Sequence, residues 1–115
     1  MDAGVIDVTT FADLQETAGA DFVAELVGTF LEEAPAMLAE LHNARAAADA
    51  ERFRRTAHSL KSNCQTFGAL GLGAMARALE MQGLDADPAR DATALAALDA
   101  AYAQVAAALT DLTHG

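Results

Sequence analysis

Apolar residues in this sequence recur every three or four positions, and nowhere do they keep the two-residue alternation of a half-buried strand, which confines the fold to packed helices. Phe22, Leu26, Phe30, Ala34, Met37 and Leu41 form one such stripe. A second holds Phe53, Ala57, Leu60, Cys64 and Phe67, and a third Leu95, Leu98, Tyr102, Val105, Leu109 and Leu112 in a heptad-like register. Each stripe must find a partner to be buried.

Residues that start and stop helices divide the chain. Thr9 and Thr10 can cap a short helix over Phe11 to Thr17, stopped by Gly19; Asp21 can cap the next, in which Pro35 removes a backbone donor and predicts a kink, or a break into two helices. A third helix runs from Ala50 to Phe67, ended by Gly68. A fourth covers Ala69 to Gln82, with Leu72, Met75 or Ala76, and Leu79 inward and Gly83 closing it; Asp87-Pro88 caps and opens the last. Short links between long amphipathic helices favour antiparallel neighbours. The expected fold is therefore all-α, an antiparallel up-down four-helix bundle with a short additional N-terminal helix as a lid, and residues 1–115 are expected to form a single domain.

Charge and cysteine content narrow the function. A net charge of −10 supplies no basic face for nucleic acid or anionic lipid, so neither a nucleic-acid nor a membrane partner is expected. Met1-Asp2-Ala3-Gly4 carries no basic flank or apolar run, and no run of about 18 apolar residues occurs, so neither a signal peptide nor a membrane span is expected. The lone Cys64 cannot close an intramolecular disulfide, which fits a reducing cytoplasm.

On the third helix, at about 100° per residue, His58 falls roughly 140° from the apolar stripe and so faces solvent. It shares that face with Arg54, Arg55, Lys61, Ser62 and Gln65. A neutral imidazole can accept a phosphoryl group reversibly near neutral pH through its free nitrogen lone pair, without a base to activate it. Lys61, one turn on, can offset charge on the phosphoryl oxygens, and Ser62 is small enough to leave a path to the ring. A solvated histidine on an ordinary cationic face satisfies the same spacing. Arg52, Arg54 and Arg55 likewise either dock an acidic partner or solvate the helix.

The run Ala57-His58-Ser59-Leu60-Lys61-Ser62, followed by Gly68-Ala69, resembles the signature of histidine-containing phosphotransfer (Hpt) domains, A-H-x-L-K-[GS] with a later G-A. The likeness extends upstream through Ile6-Asp7, Gly19 with Asp21, and Phe30-Leu31-Glu32-Glu33-Ala34-Pro35, and downstream to Leu79-Glu80. It implies that His58 is phosphorylated, that Lys61 assists, that Ser62, where the family more often has glycine, keeps the ring accessible, and that Glu80 faces the histidine. Arg54, Arg55, Gln65 and Glu80 are expected around the site or in docking. The resemblance further implies a monomeric, non-enzymatic phosphoryl carrier without cofactor. Its partners would be response-regulator receiver domains, which bring their own Mg²⁺, and a sensor or hybrid histidine kinase.

Other signals are weaker. An acyl-carrier reading needs Asp-Ser-Leu, where this chain has His58-Ser59-Leu60; Gly68, Gly71 and Gly73 follow no strand and spell no phosphate loop. His42 and His114 lack the companions of His58, and Asp111 with His114 is too small a set for a metal site, so none is expected. A helical interaction module that is never phosphorylated is the surviving alternative.

Overall fold

A computed structural model describes residues 5–114, with His114 described by its backbone alone; the N-terminal tetrapeptide read for a leader, and the pairing of His114 with Asp111, lie outside the described residues. Five helices follow in order: α1 (Val8–Ala18), α2 (Ala20–Ala46), α3 (Ala50–Phe67), α4 (Leu70–Gln82) and α5 (Pro88–His114). Among the described residues there is no strand. Helices α2 to α5 form a closed ring of neighbours, α2 against α3 and α5, α4 against α3 and α5, with α1 laid across α2 and α3. Contacts show the antiparallel sense: on α3 and α4, His58 meets Glu80 while Cys64 lies beside Gly73, and on α2 and α5, Arg45 meets Asp91 while His42 meets Asp99.

The buried set centres on Phe53, Leu41, Leu60, Leu95, Leu98 and Leu109. Phe30 joins three helices, its ring centroid 5.4 Å from that of Phe67 and 6.1 Å from that of Tyr102. Burying aromatic rings at such separations adds to the apolar gain of the core. Cys64 is fully buried, and that burial pushes its thiol up to about 12, so it is an inert packing residue.

Several sequence expectations are corrected here. At its N-terminal end α2 buries Val23 and Val27, leaving Phe22 51% exposed and Leu26 only half-buried; Met37 is also half-buried, with Leu38 inward. Both phases are apolar, and contacts with α1 select the second. Pro35 lies on the exposed side of a single continuous α2, so no break into two helices occurs. Gly19, not Asp21, is the residue before α2, and Asp7 rather than Thr9 or Thr10 precedes α1, with the Thr10 hydroxyl donating to the Asp7 carboxylate. Ala69 precedes α4 rather than belonging to it, and of the alternatives Met75 and Ala76 the latter is buried. On α5, Leu112 is 37% exposed and Tyr102 half-buried, whereas Val105, Ala108 and Leu109 between them are buried.

Other local signals act as expected. Asp49 caps α3, accepting from the Arg52 N–H at 3.1 Å, and Asp87 accepts from the Ala89 N–H at 3.0 Å with Pro88 in the first position of α5. Gly68 ends α3 in the left-handed conformation, φ 81°, and its carbonyl accepts from the Asp7 N–H at 2.8 Å, tying the start of α1 to the α3–α4 turn. Among the described residues, α5 is the one helix long and apolar enough by length and composition to cross a membrane, mean hydropathy 1.4 over 18 residues, much of it alanine; its Leu95, Leu98, Val105 and Leu109 turn into the bundle.

Candidate functional site

The outward face of α3 and the C-terminal turn of α4 meet at His58. The helix is held from behind by Phe53, Ala57 and Leu60, all fully buried, so its register against α4 is set by packing and His58 is left 58% exposed. Antiparallel pairing then brings Glu80 opposite. The His58 Nδ1 lies 2.7 Å from Glu80 Oε2, and the Lys61 Nζ lies 3.0 Å from Glu80 Oε1, so one carboxylate spans both side chains. The Lys61 ammonium holds the Glu80 carboxyl below the usual carboxylate range; partial burial opposes this and the His58 hydrogen bond adds to it.

An ionised carboxylate only accepts hydrogen bonds, so the nitrogen facing it carries the hydrogen: Nδ1–H donates to Glu80. The Nε2 lone pair is then directed away from Glu80, on an exposed ring. This is the form of imidazole that acts as a nucleophile. Lys61, expected as a solvent-facing assistant, is instead 18% exposed and engaged with Glu80. Its side chain is thus largely covered while its ammonium is paired with the carboxylate.

Ser62 is exposed one turn beyond His58, and its carbonyl accepts from the Thr66 hydroxyl at 3.1 Å. Arg54 and Arg55 line a shallow hollow with Glu51, His58, Ser59 and Glu80. There Arg55 pairs with Glu51 at 3.2 Å, an exposed pair one helical turn apart. Gln65 is exposed two turns from His58 and does not line the hollow. Arg52 stands apart from the site, gripping Glu40 with its guanidinium fork, Nη2 to Oε1 2.7 Å, which ties α2 to α3 and holds the Glu40 carboxyl below its ordinary value. On α2, His42 directs Nε2 at Asp99 Oδ2, 2.9 Å away on α5, so the nitrogen that is unengaged in His58 is occupied in His42. Among the described residues, no three His, Cys, Asp or Glu side chains gather as a metal site would require.

The Hpt domain family model matches residues 25–108, from the first turns of α2 nearly to the end of α5. The chain belongs to that family. The match takes in the whole His58 hollow and leaves α1 outside it. The sensor protein TorS of Escherichia coli (strain K12) is 33% identical over 81 residues, covering 70% of this chain and 9% of that protein. The chain thus spans a small fraction of that relative's length. No solved structure matches. An Hpt domain is a phosphocarrier bundle, and the helices seen here are consistent with it. The Glu80 grip on both His58 and Lys61 had only half a signal in the sequence: the family likeness points to a residue facing the histidine, but no spacing along one helix foretells a bridge to Lys61.

Proposed function

We propose that this protein carries a phosphoryl group on His58 between the aspartyl phosphates of receiver domains in a two-component phosphorelay. The observation that carries the reading is an exposed imidazole whose Nδ1 is held by Glu80 while Nε2 is left for attack. Nε2 attacks phosphorus in line, the N–P bond forming as the bond to the receiver's aspartate oxygen breaks, and the electron pair leaves with the aspartate. In the return direction a second aspartate takes the phosphoryl group and the pair returns to Nε2. Nδ1 keeps its hydrogen throughout, so the ring departs neutral rather than as an anion.

Lys61 assists by compensating Glu80 beside the arriving anion, and Ser62 leaves the approach open. Most of the charge stabilisation comes from the receiver and its Mg²⁺, so the chain acts as substrate and shuttle rather than enzyme and requires no cofactor of its own. A sensor or hybrid histidine kinase supplies the phosphoryl group upstream. The acidic surface and lone buried cysteine support a monomer working in the cytoplasm.

Incubation with a phosphorylated receiver, followed by mass spectrometry that preserves phosphohistidine, tests the assignment. Label is expected on His58 and absent from His58→Gln. Equal labelling of that variant, or label on His42 or His114, refutes it, and a chain that binds receivers without ever taking label is an interaction module instead.

A further inference from the structure

The cation that the sequence singles out for the phosphoryl oxygens is already committed, since Lys61 lies 3.0 Å from Glu80 and is largely covered. A second cation in the hollow, Arg55, is paired with Glu51. Arg54 differs from both. It is exposed, lines the hollow together with His58 and Glu80, and makes no ion pair among the described residues. With Glu51 offset by Arg55 and Glu80 by Lys61, Arg54 supplies the hollow's surplus positive charge, in a chain whose net charge is −10.

Its position has a structural cause on the neighbouring helix. A Cβ built on Gly83 would lie 2.7 Å from Arg54 Nη2, 2.8 Å from Nε and 3.1 Å from Cζ, so the guanidinium rests in the space that the missing side chain leaves. Gly83 also has φ 67°, a conformation that L side chains rarely adopt. The residue that stops α4 thereby seats a guanidinium one helical turn before His58, where residues four apart share a face. A guanidinium offers paired donors that match two oxygens of a phosphoryl group, and it stays charged at any working pH.

We propose that Arg54, seated against Gly83, is the side chain of this protein that binds the phosphoryl oxygens on His58, with Lys61 serving chiefly to neutralise Glu80. The inference rests on the phosphocarrier reading and goes beyond it by exchanging the roles of the two cations. It also explains how a carboxylate is tolerated beside the phosphoryl group: the hollow keeps one uncommitted positive charge.

The test compares wild type, Arg54→Gln, Arg54→Lys and Lys61→Gln, each checked for helicity by circular dichroism and each phosphorylated by the same receiver. Arg54→Gln is expected to slow acceptance of the phosphoryl group by roughly five- to tenfold, the loss of one charge-assisted contact at a partly solvated site, and Arg54→Lys to recover part of it. The ³¹P resonance of phospho-His58 should move in Arg54→Gln more than in Lys61→Gln, a response that a purely docking arginine would not produce. Gly83→Ala, which displaces the guanidinium, should reproduce the ³¹P shift. If wild type is labelled on His58 while Arg54→Gln keeps both its rate and its ³¹P position, this inference is wrong and the phosphocarrier reading stands; a wild type that takes no label on His58 overturns both.

Discussion

Replacing Asp91 with alanine should be among the most costly single changes outside the apolar core. Among the described residues Asp91 is the one charged residue that is buried, 4% exposed, in the first turn of α5. Its Oδ2 lies 3.1 Å from Arg45 Nη1 and accepts from the Asp85 N–H at 3.0 Å, while Arg45 also donates to the Asp85 carbonyl at 3.2 Å. The carboxylate therefore clamps the end of α2 and the α4–α5 link onto α5. Alanine there strips Arg45, whose side chain is 20% exposed, of its counter-ion and leaves a backbone N–H without its acceptor. Breaking one side of a buried ion pair costs about 3–5 kcal/mol, and because Arg45 can partly rehydrate, a loss near the lower end, about 3 kcal/mol, is expected. Against a typical stability of about 5–15 kcal/mol that is a large share, and at about 4 °C per kcal/mol it lowers the melting temperature by about 12 °C. Asp91→Asn, whose amide oxygen can still accept from Asp85, should lose less. Urea and thermal unfolding followed by circular dichroism measure both variants. A loss below about 1 kcal/mol for alanine, or a larger loss for asparagine than for alanine, would show that the clamp contributes little and that apolar packing alone holds the link.

Two further outcomes follow from the face around His58. Ser62→Phe should keep helicity and stability within about 0.5 kcal/mol, because the position is exposed, yet cut phosphoryl transfer at least about tenfold by filling the approach to the ring; transfer at the wild-type rate would show that the partner arrives from another side. The Glu80 carboxyl, held down first by the Lys61 hydrogen bond, should titrate below its ordinary 4.5 when followed by ¹³C NMR. Its folded-state value lies below the unfolded one, so its contribution to stability is fully present above 4.5 and lost as the pH falls through the lowered value. A midpoint at or above 4.5 would remove the bridge to Lys61.

The sequence by itself determined the helices and the outward face. Asp49 acts through its capping side chain and Pro88, Gly68 and Gly83 through their backbone preferences, so α3 and the flanking turns stand where local chemistry places them, and the pattern from Phe53 to Phe67 already puts His58 outside with Arg54 and Ser62. A helix carries its own angular coordinate, which is why one face could be read without a partner. The facing of α2 could not be read in that way: Phe22 and Leu26 form as good a stripe as Val23 and Val27, and only the packing of α1 and the bundle against that end chooses between them. The same limit hid most of the pairs that join the elements, the exception being Glu80 opposite His58, to which the family likeness pointed. Glu80 with His58 and Lys61, Arg52 with Glu40, Arg45 with Asp91, and Arg54 against Gly83 all join different helices or a helix and a turn. Such contacts depend on how far one helix slides and turns on the next. Interhelical core packing sets that quantity, and no spacing along a single helix contains it, so the engagement of Lys61 by Glu80, and an Arg54 with no ion pair among the described residues, became visible only in the assembled bundle.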